Sequence, residues 1–371
     1  MAGSHMSHVL FVIDQLRQED DAIALAAIAQ GLMDAGIDQT HLLASPSDGQ
    51  QISPILEGVD CISTRMPRRW WGRARTAQDC AAHFARRPVD LVFWSGDQAA
   101  SLSRELAAEL ESPLIGDVWK RSQVDAAKRS PLVDAWIART DSLSVQLRDE
   151  LKAGTVITAR PPVSAQRFSR LPGRRPAIVM LDPGQSTRHA APLLDALRST
   201  LDARPDIEAF LELRGGASHT LWKMVKERGL LEHVSVLDRV GTMGRLVAEA
   251  TIVVAADPDG PARTVIPLAM AGGAAIIAAS NACEELLEDD VTARLVDTCE
   301  AQRWHNAMIG LITEPPLRQR LAHEGHRRAQ AATRHDTALD AWLTAFTATM
   351  EPATYPIGTT APARHNATSS T

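Results

Sequence analysis

A polar turn at residues 257–264 combines, within a short stretch, groups that can hold a phosphate. It follows a strand-like apolar run at 252–256 and precedes a helix-like segment at 264–271. In parallel α/β sheets, ligands bind at the carboxyl ends of strands, and the free backbone N–H groups of a helix N-terminus attract anions. We therefore expect an anionic ligand to contact this turn. The groups concerned are the backbone of Gly260, Ala262 and Thr264 and the guanidinium of Arg263.

The rest of the sequence alternates strand-like apolar runs with helix-like segments, which predicts doubly wound parallel sheets. In the first half, strands are expected at 8–14, 40–43, 59–62, 89–96, 112–119, 134–138 and 155–158, with helices at 20–34, 98–110 and 142–152. In the second half, strands are expected at 177–182, 207–213, 234–240, 252–256 and 274–278. Helices are expected there at 190–203, 219–228, 242–250, 264–271, 301–312, 317–332 and 337–350, and a further helix with an acidic end after 278.

A segment rich in proline and arginine divides the chain into two α/β halves. We place an N-terminal domain at 7–160, a linker at 161–176 and a C-terminal domain at 177–335. Residues 351–371 are rich in Pro, Thr, Ala and Ser and are expected to be disordered. Residues 1–6 resemble an expression remnant and are set aside.

The composition is that of an ordinary globular protein of 371 residues, with 45% hydrophobic and 23% charged residues. The net charge of −6 argues against general nucleic-acid binding. The sequence has no signal-peptide pattern and no apolar run long enough to span a membrane, so a cytoplasmic protein is expected. The four cysteines lack metal-ligand spacing and are expected to be free thiols, and no metal site is visible. They are Cys61, Cys80, Cys283 and Cys299.

Two stretches of the second half carry a family resemblance. Residues 259–273 read D-G-P-A-R-T-V-I-P-L-A-M-A-G-G, and residues 284–296 read E-E-L-L-E-D-D-V-T-A-R-L-V. They resemble the hallmark of retaining GT-B glycosyltransferases of the group 1 type, family four, which reads E-G-x-x-x-x-x-x-E-A-M-A-C-G-x-P-V-V-A and then P-E-I-V-x-D-G-x-T-G-x-L-V. The resemblance covers residues 7–350. It implies two Rossmann-like domains that face a central cleft, with a last helix at 336–350 that crosses back to the N-terminal domain.

The same resemblance implies a function. Such enzymes move a sugar from a nucleoside-diphosphate sugar to a glycan, lipid or small-molecule acceptor, with retention of the anomeric configuration. The nucleotide sugar is a substrate, so no cofactor and no metal are expected. Stabilising the leaving diphosphate is then the main electrostatic task of the site.

The resemblance also assigns donor-side residues. Asp259 takes the place of the first hallmark Glu, which faces the donor sugar, and is a candidate catalytic acid. The second hallmark Glu, which binds the ribose, is replaced by Pro267, and Glu285 or Asp257 is a candidate substitute. Arg188 takes the place of a family lysine that contacts the diphosphate. The other basic position falls on Pro183, and Gly215 and Gly216 fit a glycine-rich donor turn loosely.

The N-terminal half departs further from the family. Its first loop is usually rich in glycine, whereas residues 15–21 here read Q-L-R-Q-E-D-D. Acids there also suit the first turn of a helix, where they complement the helix dipole. Ser95 replaces a family histidine. Asp97 and Asp117 are the polar groups expected at strand ends beside the cleft, and we take them as further candidate catalytic residues.

These departures leave two hypotheses open. The first is an active glycosyltransferase. The second is a catalytically degenerate relative that binds or scaffolds a partner, because Pro267, Pro183, Ser95 and the glycine-free first loop each remove an expected donor-site group. A cleft filled by side chains would favour the second hypothesis.

An unusual segment at 65–75 contains five arginines and two tryptophans. Arginine and tryptophan suit anionic lipid headgroups, so Arg65 to Arg75 could form a peripheral membrane contact. A surface loop whose arginines meet nearby acids explains the same composition. Binding of an acceptor anion or a partner is the third alternative.

Overall fold

The computed structural model describes residues 7–45, 59–65, 70–130, 132–151, 155–163, 175–183, 187–213, 218–237, 243–257, 259–280, 284–297 and 300–350. Within these ranges, two separate parallel sheets are covered by helices, one sheet in each half of the chain. The predicted tail 351–371, the glycines Gly215 and Gly216 and most of the linker lie outside the described residues.

The N-terminal domain is built on a seven-stranded sheet with the strand order β3-β2-β1-β4-β5-β6-β7. Its strands are β1 (His8–Asp14), β2 (Asp38–Ser45), β3 (Asp60–Arg65), β4 (Leu91–Ser95), β5 (Leu114–Val118), β6 (Ala135–Ala138) and β7 (Thr155–Thr158). Its helices are α1 (Gln15–Asp34), α2 (Trp70–His83), α3 (Ala99–Glu109), α4 (Arg121–Lys128) and α5 (Asp141–Leu151). All seven residues of β1 are buried, as expected for a central strand of a parallel sheet with both faces covered.

The C-terminal domain repeats this plan with a six-stranded sheet of order β10-β9-β8-β11-β12-β13. Its strands are β8 (Ala177–Met180), β9 (Glu208–Glu212), β10 (Val234–Leu237), β11 (Ile252–Ala255), β12 (Ala275–Ala279) and β13 (Ala293–Val296). Its helices are α6 (Thr187–Ala203), α7 (Ser218–Glu227), α8 (Met243–Glu249), α9 (Val265–Gly272), α10 (Ala301–Thr313) and α11 (Pro315–Ala332). Helix α9 is buried along its whole length and ends at Gly273, whose φ of 83° lies in the left-handed region that glycine adopts without strain.

The last helix, α12 (His335–Met350), packs on the N-terminal domain rather than on the domain that precedes it. Trp342 and Phe346 contact the ring of Phe93 edge-on, with centroid separations of 5.6 and 5.5 Å. The Trp342 indole N–H also donates a hydrogen bond to the carbonyl oxygen of Arg160, at 2.9 Å. This buried aromatic cluster joins the end of the chain to its beginning.

Four details differ from the predicted elements. Helix α1 begins at Gln15, not at residue 20, because Asp14 caps it by accepting a hydrogen bond from the backbone N–H of Arg17 at 3.0 Å. A surface loop was one alternative for residues 65–75, but residues 70–75 belong to helix α2. Helix α4 was not predicted. The acidic segment expected as a helix after β12 contains no helix within residues 284–292, which form turns before β13.

Candidate functional site

The turn before α9 lies where the two domains meet. Gly260 takes a φ of 52°, and its N–H donates to the carbonyl oxygen of Asp257 at 3.0 Å. Pro261 has no N–H group. The next backbone N–H, that of Ala262, donates to the carbonyl oxygen of Trp119 in the N-terminal domain at 2.7 Å. Because Trp119 follows β5 and the turn follows β11, the carboxyl ends of the two sheets face each other here.

Arg263 joins the domains through two carboxylates. Its Nη1 and Nη2 donate to the two oxygens of Glu212 at 2.8 and 2.9 Å, and Nη2 also donates to Asp20 Oδ1 at 2.6 Å. Glu212 ends β9 and also accepts a hydrogen bond from the backbone N–H of Asp182, at 2.8 Å. Burial works against the charged form of Arg263, yet the charges of Asp20 and Glu212 raise its pKa well above the ordinary value. Arg263 is therefore a fixed cation of the interface.

A second ion-pair cluster lies next to the first. Arg139 donates to both oxygens of Asp117, at 2.8 and 2.6 Å, and from Nη1 to Asp21 Oδ1, at 2.8 Å. Arg17 also binds Asp21, and the Thr264 hydroxyl donates to Asp21 from the other domain. Burial would raise the pKa of Asp21, but the charges of Arg139 and Arg17 outweigh it and hold that pKa below its usual range. Asp21 is thus an ionised carboxylate.

Three buried N–H groups of this interface have no hydrogen-bond partner among the described residues. They are Arg17 Nε, Arg263 Nε and Trp119 Nε1. The Arg17 guanidinium stacks on the Trp119 ring, 4.3 Å from its centroid, and both arginines contact Asp20. A buried donor left unpaired costs about 1–3 kcal/mol, so a ligand oxygen or a water that accepts from these groups is stabilised here.

A further contact between the domains involves Glu285. It accepts hydrogen bonds from the backbone N–H of Ser142 and from Arg160 Nη2, the latter at 2.7 Å, and its neighbour Glu284 accepts from Arg160 Nη1 at 3.0 Å. Burial raises the pKa of Glu284, with the charge of Arg160 acting in the opposite direction. Glu285 therefore holds the domains together in this structure, and its role as a ribose contact stays a prediction.

The two candidate acids of the N-terminal domain have different surroundings. Asp117 is 1% exposed, and besides Arg139 it accepts a hydrogen bond from the Ser95 hydroxyl. Asp97 is partly exposed and accepts from Lys120 and, at 2.8 Å, from Gln123 Nε2. Asp117 is therefore held in a buried ion pair, whereas Asp97 is accessible, and a catalytic role of either residue stays a prediction.

The remaining predicted donor residues lie at the same edge of the C-terminal sheet. Arg188 is in the first turn of α6, is exposed, and has no hydrogen-bond or ion-pair partner among the described residues. Asp259 is exposed and its backbone N–H donates to Asp257 Oδ1 at 2.9 Å. Both roles stay predictions, as does any role of Gly215 and Gly216.

Four residues of the interface were not predicted from the sequence: Glu212, Arg139, Arg17 and Trp119. Each lies at or just after the carboxyl end of a strand, which was the one available signal. The sequence places Asp20 and Asp21 in the expected first turn of a helix, where they would complement the helix dipole. Since α1 begins at Gln15, they lie in its second turn and bind arginines.

The segment 65–75 is described only in part. The side chains of residues 65–71 lie outside the described part, Arg73 is half-buried and Arg75 is exposed. In the described ranges no helix is long and apolar enough to cross a membrane, and no cluster of His, Cys, Asp or Glu side chains could hold a metal ion. Peripheral membrane contact stays a prediction.

Comparison with known proteins supports the relationship seen in the sequence. Residues 185–314 match the family described as glycosyl transferases group 1. No curated protein sequence matches the chain.

Solved structures resemble the chain over nearly its full length. Anabaena HepE in complex with UDP and glucose has a TM-score of 0.70 at 16% identity and covers 92% of this chain and 100% of its own. Sucrose-phosphate synthase from Thermosynechococcus elongatus has a TM-score of 0.66 at 16% identity, with coverages of 92% and 100%.

A third similar structure is a putative UDP-N-acetylglucosamine 2-epimerase from Listeria monocytogenes, with a TM-score of 0.69 at 14% identity and coverages of 93% and 96%. At such identities the likeness concerns the fold, which hosts more than one activity. With its two Rossmann-like domains facing each other across the Arg263 turn, the chain has the GT-B fold.

Proposed function

We propose that this protein transfers a sugar from a nucleoside-diphosphate sugar to a glycan, lipid or small-molecule acceptor, with retention and without a metal. The observation that carries the proposal is the match of residues 185–314 to group 1 glycosyl transferases. That stretch contains the α9 turn, which faces the N-terminal domain. The buried N–H groups of Arg17, Trp119 and Arg263, which have no partner within the described part of the chain, support it, because a polyoxygenated ligand would satisfy them.

The chemistry would depend on stabilising the diphosphate as it leaves. Arg188 is exposed and carries its charge into solvent at the carboxyl edge of the sheet. Arg263 is permanently charged but already binds Asp20 and Glu212. A diphosphate would reach Arg263 only if the domains separated enough to release Asp20, after which a phosphate oxygen would replace that carboxylate oxygen.

The test is a thermal-shift titration with UDP, GDP, ADP and their sugar conjugates. A ligand at 100 times its dissociation constant adds about 2.7 kcal/mol of stability, which moves the melting temperature by several degrees. We expect one nucleotide to give such a shift and Arg188→Ala to weaken it about tenfold in affinity, the loss of one charge-assisted contact. The matched control is Arg198→Ala on the same helix, where the arginine is paired with Asp202.

A second candidate function is a degenerate glycosyltransferase-like protein that binds or scaffolds a partner. A specific observation favours it: the α9 turn is already occupied, since Ala262 N–H, Arg263 and Thr264 all bond to groups of the N-terminal domain. The interface also unites three arginines with four carboxylates, so a diphosphate would add charge to a cluster that is already net negative. The residues are Arg17, Arg139, Arg263, Asp20, Asp21, Asp117 and Glu212.

The same titration separates the two candidates. If no nucleotide or nucleotide sugar shifts the melting temperature at millimolar concentration, the transferase proposal fails. The degenerate candidate then stands, and a stable complex with a partner becomes the measurement of interest. Release of free sugar from the preferred nucleotide sugar, lost in Arg188→Ala, would instead rule out the degenerate candidate.

A further inference from the structure

A pocket of about 390 Å³ lies in the N-terminal domain between α3 and α4, on one face of the sheet. Its size is that of a small-molecule site. Its lining includes Asp97 and Asp117, two of the candidate catalytic residues, but the α9 turn of the proposed donor site contributes none of it.

The floor of the pocket is formed by Trp94 and Trp136, which lie on either side of Gly116 on neighbouring strands. Gly116 on β5 pairs with Trp94 on β4 and with Trp136 on β6. A Cβ atom on Gly116 would come within 2.5 Å of the Trp94 ring and 2.6 Å of the Trp136 ring. The glycine therefore lets the two indoles meet above it, edge to face with centroids 5.3 Å apart. Together with Ala126 and Ala100, they give the pocket an apolar surface.

Two arginines give the pocket its charge. Arg104 on α3 donates from Nη1 to the Ser130 hydroxyl at 3.2 Å and from Nη2 to the Ser101 hydroxyl at 3.4 Å. Both partners are neutral, so they orient the guanidinium without cancelling its charge. Arg129 follows α4 and is exposed. Neither arginine forms an ion pair with a carboxylate in the described part of the chain, although burial raises the pKa of Glu105, the neighbour of Arg104, and the charge of Arg104 acts to lower it.

Each acid at the other end of the pocket has a cationic partner. Asp117 is paired with Arg139, which also binds Asp21, and Asp97 is paired with Lys120. Among the charged lining residues, Arg104 and Arg129 are therefore the cations that lie away from these acids.

We propose that this pocket binds a small amphiphilic anion, with an aromatic or alkyl group against Trp94 and Trp136 and a phosphate, sulfate or carboxylate group on Arg104 and Arg129. Apolar contact with the indoles would make such a ligand bind more tightly than a simple inorganic anion. Contact with the two guanidinium groups would make it bind more tightly than a neutral apolar molecule. The inference concerns binding and does not depend on the donor site of the transferase proposal.

The test measures binding of 1-naphthyl phosphate to the full chain by calorimetry, with 1-naphthol and inorganic phosphate as the two half-ligands. We expect 1-naphthyl phosphate to bind at least about tenfold more tightly than either, the value of one good charge-assisted contact. Ala126→Trp, which fills the pocket from an exposed position of α4, should abolish binding. The double change Arg104→Ala with Arg129→Ala should reduce binding to the level of 1-naphthol.

The matched control is Arg121→Ala, an exposed arginine of the same helix that does not line the pocket and whose loss should leave binding unchanged. Equal affinity for 1-naphthol and 1-naphthyl phosphate would overturn the proposal. So would binding that survives Ala126→Trp but is lost in Arg188→Ala, since that pattern places the anion at the donor edge instead. Melting temperatures of each variant show that a loss of binding is not a loss of folding.

Discussion

The side chain of Asp14 is held in place by the loops and the helix that surround it at the carboxyl end of β1. Asp14 ends β1, caps α1 and accepts hydrogen bonds from the backbone N–H groups of Arg17 at 3.0 Å and Gln98 at 3.2 Å. Gly96 has a φ of 105°, and a Cβ there would come within 2.1 Å of the Asp14 carboxyl group. Burial raises the pKa of Asp14 to about 6, against the effect of its two backbone hydrogen bonds.

This raised pKa predicts a pH dependence of stability. Because the folded pKa of about 6 exceeds the ordinary value of 3.8 for an aspartate, protonated Asp14 favours the folded state. That contribution is complete below the unfolded pKa and is lost as the pH rises through 6. Asp14→Asn does not titrate, so its stability relative to wild type should increase between pH 4 and pH 7, by about 3 kcal/mol at most.

The measurement is urea unfolding of both proteins across this pH range. Asp206→Asn, at an exposed carboxylate that pairs with Arg204, controls for the loss of one acid. Parallel curves for wild type and Asp14→Asn would contradict the prediction.

Removing Arg263 from its buried ion pairs should lower the free energy of unfolding by a large amount. Its replacement by methionine leaves Glu212 and Asp20 without their shared cation, and removal of one partner of a buried pair costs about 3–5 kcal/mol. Urea unfolding of Arg263→Met should show this loss, and a second change, Glu212→Gln, should recover part of it. Arg204→Ala, which removes an exposed pair, should cost less than about 1 kcal/mol. Equal losses in Arg263→Met and Arg204→Ala would refute the buried-pair interpretation.

Arg263 also shows what could not be predicted from the sequence about single residues. The pattern identified the α9 turn as the point of interest, and Arg263 and Thr264 do lie where the domains meet. Their partners, Asp20 and Asp21, are 243 residues away in the chain, and nothing local to either stretch specifies the pairing. Residue types therefore predicted an anion-binding turn but not that the protein's own carboxylates would occupy it.

At the scale of elements, the contact between α8 and α9 depends on a glycine. A Cβ on Gly272 would approach the carbonyl oxygen of Ala248 to 2.5 Å and its Cα to 2.6 Å, and backbone atoms cannot move aside as a flexible side chain can. Gly272→Ala should therefore push the helices apart and cost about 1–3 kcal/mol of stability.

Gly310 on α10 is the matched control, because a Cβ there meets nothing within 4 Å. Gly310→Ala should be neutral or stabilising by up to about 1 kcal/mol, since alanine is the better helix former. Thermal unfolding of the two variants measures both expected changes: a loss of stability in Gly272→Ala and no loss in Gly310→Ala. A stable Gly272→Ala protein would mean that the helices pack less tightly than the structure shows.

Helices and strands were predictable wherever the apolar period was strong, as in β1, α3 and α10. The predicted boundary of a helix was wrong where a capping residue, and not the spacing of apolar residues, decides where the helix begins. Helix α1 starts at Gln15 because Asp14 caps it. Helix α2 was missed because its first turn is rich in tryptophan and arginine, residues that also suit a surface loop. The acidic segment before β13 has helix-forming residues, yet Thr292 binds the carbonyl oxygen of Leu286 and the backbone N–H of Glu288 within turns.

At the scale of the whole molecule, the fold was predictable from resemblance and from the repeated α/β pattern, but the state of the interface was not. The domains are joined by Arg160 with Glu284 and Glu285, by Arg263 with Asp20, and by Ala262 N–H with the Trp119 carbonyl oxygen. These contacts compete directly with any ligand that uses the same groups. Opening of the domains and ligand binding are therefore thermodynamically linked.

This linkage predicts the effect of removing one carboxylate. In Asp20→Asn the Arg263 guanidinium keeps Glu212 but loses a charged competitor, and one fewer negative charge repels a diphosphate. If the transferase proposal is correct, the affinity for UDP, or for whichever nucleotide the thermal-shift titration selects, should rise about tenfold, and the increase should shrink as salt screens the charges. Calorimetry of wild type and Asp20→Asn at low and high salt measures both effects.

Asp34→Asn, at the far end of α1, is the control for the change in net charge, and it should leave the affinity unchanged. The substitution also gives a second measurement, besides the thermal shift, on which the two candidate functions differ. In an enzyme whose carboxylates hold the cleft closed between turnovers, the substitution exposes a site that exists. In a degenerate protein, the carboxylates replace a site that has been lost, so Asp20→Asn would loosen the interface without creating affinity for any nucleotide.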